Sequence, residues 1–506
     1  MVLCNSPGLT ATRGQTACSE RMMVRGRGRS RRRRSWAAIR PWTALCGALV
    51  LATVWAPSAL ASSASLVRDI NPGSARSDPA EFPGSFADAG NITLFPATDG
   101  AHGRELWRTD GTTAGTKLVR DIRTGPGMSD PFNLASVDGT VFFAADDGTH
   151  GIEIWRSDGT AAGTRLVRDI DVGDSNSVPV YLAGLNGKVF FAADDGTHGT
   201  ELWRSDGTRA GTKLVLDIRP GFNGSKPRDL TNIDGTLCFT ASDGTHGIEL
   251  WRSDGTAAGT KLIRDIKSTG GRRLKGSNPH DLTDIDGTLF FTANDGTHGR
   301  EPWRSDGTAT GTALIKDVEP GAYGNKGPVD FTNVDGTAFF GDQDSIHGLE
   351  LWRSDGTRAG TNMVRDIYPG SASSVPYDLE SAGGTLFFAA TDPTHGNELW
   401  RSDGTTAGTK LVRDIRADLR SSSPRGITGV AGTVFFQATD GPHGVELWQS
   451  DGTAAGTEMV RNIRPDIGTT FGDRGSSPRG LTNVRGALLF SANDGAHGRE
   501  LWSAAP

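Results

Sequence analysis

The sequence predicts an all-β chain, a β-propeller of four-stranded antiparallel blades, on three observations. One phrase recurs nine times after the first sixty residues. Each copy holds four short apolar runs divided by glycine-rich turn signals. The two ends are also cut in complementary fashion, so that a lone fourth strand at one end matches a missing fourth strand at the other. The phrase is fullest at Glu249-Leu-Trp-Arg-Ser-Asp-Gly-Thr256, and its tryptophans are Trp107, Trp155, Trp203, Trp251, Trp303, Trp352, Trp400, Trp448 and Trp502. They are separated by 48, 48, 48, 52, 49, 48, 48 and 54 residues. A period near 48 marks one supersecondary unit that needs its neighbours to bury its apolar faces.

The unit from Pro227 to Ile266 shows the four runs in order. Asp229 to Ile233 is a short extended run, ended by Asp234-Gly235, a strong two-residue hairpin signal. Thr236 to Ala241 is the second strand, apolar and β-branched. Asp243-Gly-Thr-His-Gly247 turns the chain into the third, Ile248 to Arg252. Ser253 to Gly259 turns it again into the fourth, Lys261 to Ile266. Helical periodicity is absent. Dense apolar content in every strand describes a blade buried on both faces.

The ends carry the detail. Leu66-Val-Arg-Asp-Ile70 reads as a fourth strand without its first three, and Glu500-Leu-Trp502 as a third strand without its fourth. The early strand is therefore expected to complete the last blade and close a nine-bladed ring, removing exposed sheet edges. An eight-bladed ring with an eccentric ninth unit is the alternative.

The phrase resembles the consensus of the bacterial ELWxxDGT repeat proteins, and the resemblance covers residues 66–506. It implies an exported, multi-copy repeat protein and brings no catalytic residues with it. Departures are local: Pro302 for leucine, Gln449 for arginine, Asn462 for aspartate, and Asp344-Ser345-Ile346 before His347.

Residues 1–61 read as an export signal, leaving one propeller over 62–506. Arg25, Arg27, Arg29, Arg31 to Arg34 and Arg40 form a basic region, an uncharged stretch runs from Pro41 to Leu60, and Ala59-Leu60-Ala61 suits cleavage. These 61 residues hold ten arginines and one glutamate, a net +9, so the remainder of this −6 chain carries −15. Such an acidic protein repels nucleic acid and anionic membranes. The expectation is a secreted or cell-surface monomer with no stable membrane insertion after cleavage. Three of the four cysteines lie in the leader, which leaves only Cys238, where other repeats carry phenylalanine. A buried, inert thiol is expected there.

Residues present nine times are first of all structural. The Ser-Asp-Gly-Thr segments read as turn devices. A histidine in each second turn (His102, His150, His198, His246, His298, His347, His395, His443, His497) is expected to tie down its own turn. One histidine and one glutamate per blade cannot converge on a single zinc ion, whereas the aspartate-rich turns at Asp146, Asp147, Asp194 and Asp195 offer hard oxygen ligands for calcium. No other cofactor is expected. Function is sought where repeats disagree, in the connections from fourth strand to next first strand, which share a face with the histidine turns. The two longest hold the candidate ligand residues Arg272, Arg273, Lys275, Phe471 and Arg474. The sequence reading is thus a non-catalytic binding module for a glycan or protein. Its alternatives are a propeller enzyme on polysaccharide, and a calcium-stabilised architectural protein.

Overall fold

The computed structural model describes residues 63–79, 85–268, 276–321, 327–417, 420–465 and 475–506. They form nine four-stranded antiparallel sheets, each ordered from first strand to fourth. Blade 2 is Phe132–Val137, Thr140–Asp146, Ile152–Ser157 and Arg165–Arg168. Blades 1 and 3 to 8 repeat this order, with blade 1 starting at Ala87.

Blade 9 is completed as the ends predict. Arg499–Ala504 pairs with the N-terminal strand Ser65–Arg68, Leu66 opposite Trp502. From blade 1 to blade 9 successive first strands touch one another, which makes them the inner strands of the ring.

Apolar residues explain the closure. Among the described residues there are nine buried clusters, each drawing on two adjacent blades. One of them joins Leu489, Leu501 and Val67 of blade 9 to Phe95, Ala97 and Trp107 of blade 1. Nine seams for nine blades make a closed ring, and the eight-plus-one alternative gives way. Within a strand, alternate residues face opposite neighbours. In blade 4, Phe239 packs toward blade 3 and Cys238 toward blade 5. Burying such a phenylalanine contributes about 1.5–3 kcal/mol. Burial pushes the Cys238 thiol up to about 12, so it stays protonated.

The fourth strand is shorter than its apolar run. In blade 4 it ends at Arg264 rather than Ile266. The Ile266 N–H leaves the ladder to donate to Oε2 of the buried Glu249, 3.2 Å away. A buried carboxylate needs donors, and this one takes them from the strand end.

Candidate functional site

The loop candidates Arg272, Arg273, Lys275, Phe471 and Arg474 lie outside the described residues, as does the 1–61 leader. A cavity of about 440 Å³ is lined in part by Lys267 and Gly276, which flank the first of these segments in sequence.

The aspartate-rich turns close on themselves. Asp147 Oδ1 accepts from the N–H groups of Thr149 and His150, both at 2.9 Å, while Oδ2 lies 2.8 Å from His150 Nδ1. Asp195 and His198 repeat the pattern. Asp146 accepts from the Gly148 N–H and from Arg123, each at 2.6 Å, and Asp194 accepts from the Gly196 N–H at 2.8 Å. Among the described residues, no three His, Cys, Asp or Glu side chains gather as a metal ion would require.

The histidine–aspartate pair recurs in all nine blades at 2.6–2.9 Å. Its hydrogen bond to Asp147 raises His150 above the ordinary imidazole range. Burial works to raise Asp147, but the donors of His150 and Thr149 outweigh it and hold the carboxyl below its usual value. In several turns the glycine after the histidine is required by close approach, as at Gly103, Gly151, Gly199, Gly348 and Gly498. At Gly151 a Cβ would sit 1.9 Å from the Ser175 carbonyl oxygen.

Nine third-strand glutamates are fully buried. Glu153 is typical. It accepts from the Ile170 N–H at 2.9 Å and from the Ser177 hydroxyl and N–H at 2.7 and 3.2 Å, pinning the connection to the next blade. Burial pushes it up to about 7 against those donors. Blade 5 differs. Lys326, outside the described residues, stands in the place of the serine, and in the neighbouring blade 6 the buried Asp342 stands where the other blades carry alanine. Glu301 is pushed up to about 9 by burial, with the charge of Asp342 adding to it.

The symmetry breaks on the inner strands. In each of blades 2 to 9 the second residue sits in a β-bulge with a left-handed backbone. In blade 3, Val180 faces Ala192 but Ala183 faces Phe190, with Tyr181 in the extra position at φ 58°. A bulge re-aims the side chain it carries. From blade 2 to blade 9 the bulge residue reads Asn133, Tyr181, Asp229, Asp281, Asp330, Asp378, Gly426 and Gly480.

Tyr181, Asp229, Asp281 and Asp330 come from four successive inner strands and line one cavity of about 330 Å³, with Leu182, Leu230, Leu282 and Phe331 among its apolar walls. Burial and the neighbouring charge of Asp281 push the carboxyls of Asp229 and Asp330 up, and Asp378 adds to the second. Asp378 is tied to the Gly426 N–H at 2.8 Å. Asp229, Asp281 and Asp330 accept no side-chain hydrogen bond from the described residues. Blades 8 and 9 carry glycine at the bulge and Arg425 and Arg479 one residue before it.

Sequence reasoning missed this arc. The signal was present: each bulge residue stands two places after a proline, from Pro131-Phe-Asn133 to Pro478-Arg-Gly480. Aligning the units on that proline exposes the run of four aspartates.

No family model matches the chain, and no curated protein matches it. Solved structures do. Puromycin hydrolase is 14% identical over 74% of this chain with a TM-score of 0.36, and the chain spans 60% of its length. Oligopeptidase B from Leishmania major is 12% identical over 77% of the chain and 53% of its own, TM-score 0.40. The β-propeller domain of the trilobed protease from Pyrococcus furiosus is 11% identical over 64% and 96%, TM-score 0.33. These neighbours are named for peptidases and hydrolases, and on that finding the expectation of a free-standing, non-catalytic glycan or protein module is corrected, together with its polysaccharide-enzyme and calcium-architectural alternatives. At such identities and scores the likeness is one of propeller fold alone, and no activity is carried over from it.

Proposed function

We propose that the chain captures a ligand bearing several ammonium groups on apolar stems in the cavity at its axial channel. The observation that carries this reading is the run of aspartates at one bulge position in four consecutive blades, three of them with no donor to the carboxylate among the described residues. Carboxylates spread along an arc suit an extended oligocation, whose charges are spaced by methylene groups, better than a single ion. The leucines and Phe331 of the cavity offer the apolar surface such stems cover. Export, supported by the basic and then uncharged stretch of 1–61, and kinship with the ELWxxDGT repeat proteins, supported by the nine phrases, are parts of the same proposal.

Titration calorimetry with spermine and with tetralysine tests it and separates the two sources of that chemistry. Binding should weaken as salt rises, because the attraction is between partly exposed charges. It should fall at least about tenfold when Asp229, Asp281 and Asp330 are changed together to asparagine, the scale of one lost charge-assisted contact. Absence of binding by either probe, or equal binding by the triple variant, would overturn the reading.

A further inference from the structure

Eight of the nine seams carry the same clamp. An arginine or lysine at the end of one fourth strand donates to a backbone carbonyl of the next blade, as Arg168 does to Thr212 O at 2.6 Å and Lys316 to Thr361 O at 2.7 Å. In five seams that cation also lies over the next blade's tryptophan. Blade 3 has Leu216 in this place.

The consequence is local and complete. Among the described residues, no side-chain hydrogen bond or ion pair joins blade 3 (180–216) to blade 4 (228–264). Every other seam has at least one, and blades 4 and 5, for example, add Thr231 Oγ1 to Leu282 O at 3.2 Å. The main-chain bond from Ser242 N–H to Ser225 O persists here, as its equivalents do on either side. Otherwise the seam is held by apolar packing, with Leu216 set against Leu202, Leu237, Phe239 and Trp251. Every seam has such non-directional apolar packing, and the other eight add to it a charge-assisted bond in fixed geometry that this one lacks.

This seam borders the channel cavity, since Tyr181 and Leu182 come from blade 3 and Asp229 and Leu230 from blade 4. We infer that the ring separates first between blades 3 and 4, and that this opening is a lateral entrance to the channel cavity. The ligand side of the inference rests on the oligocation reading; the seam itself does not.

Hydrogen exchange of the full chain tests the seam. The outer strands Lys213–Leu216 and Lys261–Arg264 should exchange roughly tenfold faster than Arg165–Arg168 and Lys410–Arg413, as expected of the least stable local opening. Leu216→Arg should remove the contrast, Leu216→Lys should do so in part on the precedent of Lys316, and Arg168→Leu should create a second fast seam. Equal exchange at all seams, or a contrast untouched by both Leu216 variants, would overturn the inference. Stopped-flow binding of spermine tests the entrance. Leu216→Arg should slow association several-fold and leave the equilibrium affinity unchanged, and an unchanged rate would overturn the entrance. If the wild type takes no spermine, the oligocation reading falls while the exchange contrast still decides the seam.

Discussion

Third strands and inner strands treat the same nine-fold repetition in opposite ways. In the third strands the glutamate and tryptophan recur in every blade, all buried, each glutamate collecting donors from the chain around it. In the inner strands one position keeps its backbone shape through blades 2 to 9 while its residue passes from Asn through Tyr and four Asp to Gly. Fixed identity marks the positions where packing leaves one solution. Fixed geometry with free identity marks a place where the scaffold presents a side chain without depending on it, and that is where a repeat can differentiate. The comparison predicts that damage scales with repetition.

The largest effect should come from deleting residues 62–71. Blade 9 would lose its fourth strand and the seam cluster would lose Val67 and Ile70, leaving an unpaired edge. Aggregation or a drop of more than about 10 °C in melting temperature is expected, far beyond the roughly 2–4 °C that 1 kcal/mol moves a large domain. A truncated protein that stays monomeric and equally stable would break the closure argument.

Next comes a paired substitution. Trp251→Ala removes a buried aromatic from the seam between blades 3 and 4 and should cost about 3–5 kcal/mol. Asp281→Asn, at the exposed bulge, should stay within about 0.5 kcal/mol. Denaturant unfolding of both variants sharpens the contrast between the two strand types, and equal costs would remove it.

The pH dependence follows from the buried glutamates and the turn histidines. Burial raises Glu153, Glu398 and Glu500 to about 7, so the folded chain holds protons that the unfolded chain releases above about 4.5. Stability is lost as pH rises between those values, and up to about 9 for Glu301. The histidines, raised by their aspartate bonds, contribute fully below their ordinary value of 6.5 and lose that contribution as pH climbs through the raised value. Both trends run the same way. The melting temperature should be several degrees higher at pH 5.5 than at pH 8.5, and the reverse order would contradict the burial of these carboxylates. Below pH 4 the turn aspartates, held low by their donors, should begin to lose their share.

The smallest effect concerns Tyr181. A bulky residue at φ 58° is strained where Gly426 and Gly480 are not. Tyr181→Gly should therefore raise stability, by up to about 1 kcal/mol, if the side chain serves the cavity rather than the fold.

The propeller was legible because its rules are local. The Asp-Gly turn at 234–235, the alternation at Cys238-Phe239 and the truncated ends each name their own structural role. The site was less legible. Bulges are set by backbone register between strands, which no single residue announces, and Asp229 in one unit looks like any polar strand residue. The long connections around Arg272 and Arg474 break the period far more visibly than the bulge position does. The turn histidines are legible as ties on their own turns, since the hydrogen-bond partner Asp147 stands only three residues from His150.

A crystal structure of the full chain with spermine tests the central claim most directly. Ammonium groups should lie within hydrogen-bonding distance of Asp229, Asp281 and Asp330, with the methylene stems against Leu230, Leu282 and Phe331. Spermine bound instead at the connections around 269–275 or 466–474, with the inner-strand aspartates untouched, would contradict it.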